Sequence, residues 1–291
     1  MPVAEYSYHV DGELVPASAA AVNVRDRGFM YGDAAFETLR VYGGTPFEWE
    51  AHADRLSRTC QTLGFECAVP PAPTLRERVE ETLAANDLAD AYAKLSVTRG
   101  VQPGKLTPDQ AVDPTVVVMV SALPRGGLSG ERVWDRPARL GTVDRQPVPD
   151  AAVPAGTKTH NYLDGILARL DLRGTECDEA VRCSREGFLT EAATSNLFFV
   201  SDGQLLTPTT DLPLLPGVTR SVVIELARAD GIPVDTGRYE PERLADASEL
   251  FVTNSTWEIR PASSLDGRSF DAGPITRRLQ QLFDERVETL Y

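Results

Sequence analysis

Residues 158–163, KTHNYL, and residues 188–200, FLTEAATSNLFFV, decide how this chain is read. Lys158 is one of three lysines, with Lys94 and Lys105, among 29 basic residues, so almost every other cation is arginine. A guanidinium pairs with carboxylates and phosphates but forms no Schiff base at neutral pH, whereas a lysine amine does. An amine kept in an arginine-filled chain suits a carbonyl that must be held covalently, and pyridoxal phosphate is the commonest such carbonyl. Glu191 then leads through small polar residues into an apolar strand. An acid placed there can pair with a pyridinium nitrogen, the second part such a cofactor needs. Taken alone, Lys158 would be a solvated surface amine; the surrounding motifs argue otherwise.

Composition bounds the rest. At 291 residues the chain can bury a large core and is expected to form two domains. No apolar run approaches the roughly 18 residues of a membrane span. The start, MPVAEYSYHVDGELV, has neither a basic region nor an apolar core, so no signal peptide and a cytoplasmic location are expected. Cys60, Cys67, Cys177 and Cys183 form no CxxC pair and the three histidines lie far apart, so no metal is expected and the thiols read as free. A net charge of −14 argues against nucleic acid or an anionic membrane as partner. The 43 acids fit either a halophilic surface or drift in codon usage. An anionic substrate would need a local cluster of Arg or Lys.

Asp11-Gly12 in EYSYHVDGELVPA signals a hairpin. The Gly43-Gly44 turn separates a strand, Phe36 to Tyr42, from a second near Phe47. Helical spacing runs from His52 to Leu63, and a further helix is expected to start at a Thr74–Glu77 capping box. AYAKLSVTRG and PTVVVMVSAL read as strands, the latter central. Residues 1–122 are expected to form an N-terminal domain, 123–130 a Gly-rich linker and 131–291 a C-terminal domain. In the latter, YLDGILARLDLRG is expected to be a helix ending at Gly174. Strands are expected at EAVRCS, NLFFV, QLLTP and SELFVTN. TRSVVIELARADG and the tail from Gly273 read as helices.

DRGFMYGDAAFETLRVY (26–42), EAHADRLSRT (50–59), KTHNYL, LLPGVTR (214–220) and VTNSTWEI (252–259) occur in this order. Through them the chain resembles, nearly end to end, the fold-type IV (class IV aminotransferase) pyridoxal-phosphate enzymes. These include branched-chain and D-amino acid aminotransferases and 4-amino-4-deoxychorismate lyase. The resemblance implies a two-domain α/β (α+β) fold, with a smaller N-terminal α/β domain and a larger, β-barrel-like C-terminal domain. It also implies a homodimer with active sites at the subunit boundary. By resemblance Lys158 holds the cofactor, Tyr162 bonds its phenolic oxygen, and Glu191, with Asn196 beside it, meets the ring nitrogen. Gly217, Val218 and Thr219 open a helix whose free N–H groups favour an anion. Ser255 and Thr256 offer hydroxyl and backbone donors, and Arg55 matches the family's phosphate-binding arginine, a bidentate anion ligand.

The subfamily motifs lean towards the lyases. Thr38 stands where branched-chain enzymes tend to have Gly, and TNSxxE is a lyase pattern. Tyr31 and Arg40 are shared with branched-chain enzymes, and VTRG, with Arg99, also occurs in D-amino acid aminotransferases. The expected activity is therefore elimination from 4-amino-4-deoxychorismate to pyruvate and 4-aminobenzoate, for folate-type cofactors. The alternative is transamination of branched-chain or D-amino acids. Thr38 is the candidate proton relay, because Phe36, Thr38 and Arg40 share one strand face. Lys94, Arg99 and Arg40 are candidates for the substrate carboxylates, with Tyr31 and Phe36 lining the pocket.

Overall fold

The computed structural model describes residues 5–123 and 133–291. It divides into two compact units, one of Met1–Pro124, Thr157–Asn161 and Leu290–Tyr291, the other of Arg125–Gly156 and Tyr162–Thr289. Nearly all of the expected linker, 123–130, lies outside the described residues. The segment 157–161, expected in the C-terminal domain, belongs to the first unit. Its backbone is stitched to a strand there: Phe36 N–H donates to Lys158 O and His160 N–H to Ala34 O, both at 3.0 Å.

The first unit runs β1 (Ser7–Val10), β2 (Glu13–Pro16), α1 (Arg27–Tyr31), β3 (Ala34–Tyr42), β4 (Thr45–Pro46), α2 (Trp49–Leu63), α3 (Ala72–Ala85), β5 (Ala91–Thr98) and β6 (Val116–Ala122). Its sheet is antiparallel, in the order β2-β1-β6-β5-β3-β4. Asp11 and Gly12, at φ 49° and 100°, make the left-handed turn that this hairpin needs. α3 begins two residues before Thr74, with a proline in its first turn and no side-chain cap. Proline is already set for that turn and loses no bonded N–H there, so the capping box is not used.

Alternation along β3 makes two faces. Ala35, Leu39 and Val41 join Leu56, Cys60, Leu75, Val79 and Leu83 in a core beneath α2 and α3. Phe36 and Thr38, half-buried, point to the opposite face with Arg40.

The second unit runs β7 (Ala138–Thr142), α4 (Leu163–Asp171), β8 (Glu179–Cys183), β9 (Leu189–Ala192), β10 (Asn196–Ser201), β11 (Gln204–Pro208), α5 (Val218–Ala229), β12 (Val234–Gly237), β13 (Glu249–Asn254), β14 (Glu258–Leu265), β15 (Arg268–Ser269) and α6 (Pro274–Glu288). α4 stops at Asp171, short of Gly174. The strand order β10-β13-β14-β7-β8-β9 returns to β10 through the pair Glu191–Asn196, so the sheet closes into a barrel-like ring. Leu140, Val181, Leu189, Leu197, Phe199, Leu206 and Val252 fill its core.

Candidate active site

In the first unit, Lys158 is anchored twice. Besides accepting from Phe36, it donates its N–H to Thr59 Oγ1 at 3.1 Å, and Thr59 in turn donates to Arg55 O at 2.9 Å on α2. This fixes the backbone from which the amine projects. Nζ stands 4.5 Å from the Phe36 ring centroid, and Lys94 Nζ stands 4.7 Å from the same ring. Thr38 pairs with Lys94 across β3 and β5. Burial, then the charge of Lys158, lowers the Lys94 pKa. Burial and the charge of Lys94 bring His160 down to about 4, so it is neutral at neutral pH. Its Nε2 lies 3.2 Å from Ser96 Oγ. Two amines, a hydroxyl and a neutral imidazole thus gather on one sheet face.

On the core face, Glu37 accepts from Arg55 Nε at 2.8 Å and Nη2 at 2.6 Å, with His52 Nδ1 at 2.7 Å. All three side chains are buried. Burial pushes the Glu37 carboxyl up, but the hydrogen bonds and charge of Arg55, helped by His52, hold it at about 2. The Nε/Nη2 fork of Arg55 is therefore spent on Glu37. That edge is the one a bidentate anion would otherwise use.

Arg99 also departs from its expected place. Its Nε and Nη2 meet Asp33 at 2.7 and 3.1 Å, Nη2 donates to Leu63 O, and the guanidinium stacks 4.9 Å from Phe65. Arg27 shares Asp33 at 2.7 Å and lies 5.0 Å from the Tyr31 ring. Arg99 is a buried tie between the loop after α1 and the end of β5. Arg40 is likewise buried, over the Tyr42 ring at 5.1 Å.

In the second unit, a β-bulge sets Glu191. Val181 pairs with Ala192 and Cys183 with Leu189, so Arg182 alone opposes both Thr190 and Glu191. Such a bulge re-aims a side chain. Glu191 Oε1 accepts from Arg182 Nη2 at 3.3 Å, and Oε2 from Leu215 N at 3.0 Å and Asn196 Nδ2 at 3.4 Å. Arg182 Nη1 also reaches Asp164 Oδ2 at 2.8 Å. Asn196 Nδ2 further donates to Leu215 O at 2.8 Å. A Cβ at Gly217, before α5, would collide with Asn196 Oδ1, so a larger residue there would have to displace that side chain. α5 opens with Val218 and Thr219 and has no side-chain cap, which leaves its first N–H groups for an anion. Thr256 is less available than expected: its N–H and Oγ1 both donate to Asn254 Oδ1 at 3.0 Å, while Ser255 stays half-buried beside it. Tyr162 immediately precedes the first turn of α4.

Among the described residues, no group of three or more His, Cys, Asp or Glu could hold a metal ion, and no helix is long and apolar enough to cross a membrane.

The family model for amino-transferase class IV matches residues 34–265. A relative from Methanocaldococcus jannaschii, named for branched-chain-amino-acid aminotransferase activity, is 35% identical over 95% of both chains. The 4-amino-4-deoxychorismate lyase from Pseudomonas aeruginosa is 32% identical and superposes with a TM-score of 0.80 over 96% of this chain and 98% of its own. The branched-chain aminotransferase from the thermophilic archaeon Thermoproteus uzoniensis, solved with norvaline, is 28% identical, with a TM-score of 0.90 over 98% of this chain and 96% of its own. The chain belongs to the class IV aminotransferase family, and it is a fold-type IV, pyridoxal-phosphate-dependent enzyme. The residues of each unit fit that cofactor chemically: in the first an anchored amine, in the second a carboxylate held by three donors and a helix start with no side-chain cap.

Proposed function

We propose that this enzyme is a 4-amino-4-deoxychorismate lyase that releases pyruvate and 4-aminobenzoate. The observation that carries the reading is Thr38, a half-buried hydroxyl paired with Lys94 across β3 and β5, beside the Phe36 ring that both Lys94 and Lys158 approach. Bound pyridoxal phosphate supplies the aldehyde that Lys158 holds and the ring that takes up negative charge. Lys158 takes the proton from the substrate ring carbon. Thr38 hands a proton to the departing enolpyruvate, and aromatisation of the substrate ring drives the elimination. Lys94 meets a substrate carboxylate. Glu191 would keep the proton on the cofactor nitrogen, Tyr162 would bond the phenolic oxygen, and the start of α5 with Ser255 would receive the phosphate.

One observation favours a second reading, transamination of branched-chain or D-amino acids. With Arg99 spent on Asp33 and Arg40 buried, Lys94 is the cation of the three expected that stays half-exposed, and such substrates carry one α-carboxylate. A panel on purified holoenzyme separates the two. Release of 4-aminobenzoate with pyruvate marks the lyase. Conversion of the cofactor to its amine form by L-leucine, D-alanine or an (R)-amine, without that release, marks the transaminase.

The enzyme acts as a cytoplasmic homodimer in this reading. Support comes from exposed apolar side chains at α1, Phe29 at 73% and Met30, beside Val101 and Leu106 at 79%. They adjoin because Arg27 donates to Lys105 O and Leu106 O and Asp26 bridges Val101. Exposed apolar side chains on neighbouring segments are what a second copy covers.

A further inference from the structure

We propose that Asp164, acting through Arg182, sets the charge that Glu191 presents to the cofactor nitrogen, so that Asp164 and Arg182 are positioning residues. The inference rests on the reading of Glu191 as the acid that meets that nitrogen. Arg182 is 3% exposed and bridges two carboxylates on different elements, Asp164 at 2.8 Å from α4 and Glu191 at 3.3 Å from β9. Its Nε has no partner among the described residues. A buried guanidinium so incompletely bonded contributes little to stability, since an apolar side chain of similar volume serves as well or better. Its placement makes sense through charge. Glu191 with Arg182 alone is neutral and has little attraction for a cation. Asp164 adds one negative charge, and the cluster of two carboxylates and one guanidinium carries net −1, which a protonated ring nitrogen balances.

Two other charged groups on the packed elements, Glu179 and Arg220, bond elsewhere. Glu179 on β8 binds Thr194 and Ser195 and stands 4.0 Å from Arg169 of α4. Arg220 at the start of α5 donates to Pro208 O at 2.9 Å. The bulge that sets Arg182 against both Thr190 and Glu191 is locked by Thr190 Oγ1 donating to Arg182 O at 3.0 Å. The other account of Asp164, a carboxylate favoured in the first turn of a helix, explains its sign but not its bond to a buried arginine.

The test measures how tightly apoprotein binds pyridoxal phosphate and its 1-deaza analogue, in which carbon replaces the ring nitrogen, at one neutral pH. The ratio of the two dissociation constants isolates the nitrogen. Asp164→Asn should lower the preference for pyridoxal phosphate about tenfold, the lower end for a neighbouring charge. Asp164→Glu should keep it, and Glu191→Gln should lower it further. A purely structural Asp164 would weaken both ligands alike and leave the ratio unchanged. If Glu191→Gln lowers the ratio and Asp164→Asn does not, the charge relay is overturned while the role of Glu191 stands. If Glu191→Gln leaves the ratio unchanged, Glu191 does not meet the nitrogen and both fall together.

Discussion

Replacing Glu37 with glutamine removes one charge from a buried group of three and leaves Arg55, 4% exposed, without its counterion. The carboxyl falls from 4.5 to about 2 in the folded chain. At about 1.4 kcal/mol per pKa unit, that is roughly 3 kcal/mol of stabilisation. Breaking one partner of a buried ion pair costs about 3–5 kcal/mol, so the two routes agree. Because the folded pKa is depressed, this contribution is complete above about pH 4.5 and is lost as pH falls towards 2. Scanning calorimetry of Glu37→Gln at pH 7 should show unfolding of the first unit roughly 6–12 °C below wild type, at 2–4 °C per kcal/mol. Added salt should leave the gap nearly unchanged, since a buried pair is poorly screened. The gap should narrow as pH drops below 4.5. A variant that melts with wild type at pH 7, or a gap that stays constant with acidification, would refute the reasoning.

Three further outcomes follow from the site. Glu191→Gln should keep cofactor bound yet slow proton abstraction strongly, because an unprotonated ring accepts charge poorly; normal turnover would reassign Glu191 as structural. Thr38→Val should cut elimination about 10²-fold, the lower end for a positioned proton donor, while any transaminase side activity suffers less. An equal fall in both would indicate a damaged pocket, and no fall would remove Thr38 from the mechanism. Light scattering should give the mass of a dimer, and adding a charge with Phe29→Glu should shift it towards monomer; a monomeric mass for active wild-type enzyme would refute the assembly.

Residue chemistry makes part of the site legible in the sequence itself. An amine among arginines points to Lys158, an acid opening an apolar strand to Glu191, and two-residue alternation puts Phe36 and Thr38 on one face. The sequence misleads where the partner is remote in the chain. Arg99 reads as a free cation until Asp33, 66 residues away, is brought against it. Arg55 likewise reads as an anion fork until β3 delivers Glu37. A signal for that pair is present: Glu37 is an acid amid Ala35, Leu39 and Val41, and His52 and Arg55 fall on the buried stripe of α2. Nothing local marks the Thr190–Glu191 bulge or the reach of Arg182 to Asp164, because both depend on strand register. β14 escapes a reading by apolar pattern because Pro261 and charged residues interrupt it, and the Thr74 cap yields to the prolines beside it.

Lys94 and Lys158 approach one phenyl ring, at 4.7 and 4.5 Å, so the chain contains its own rival for the cofactor-binding amine. Borohydride reduction of the holoenzyme, followed by digestion and mass spectrometry, records which amine holds the aldehyde, and with three lysines in the chain the assignment is unambiguous. A single phosphopyridoxyl adduct on Lys158 is expected. An adduct on Lys94 or Lys105, or a wild-type absorbance band retained by Lys158→Ala, would contradict it.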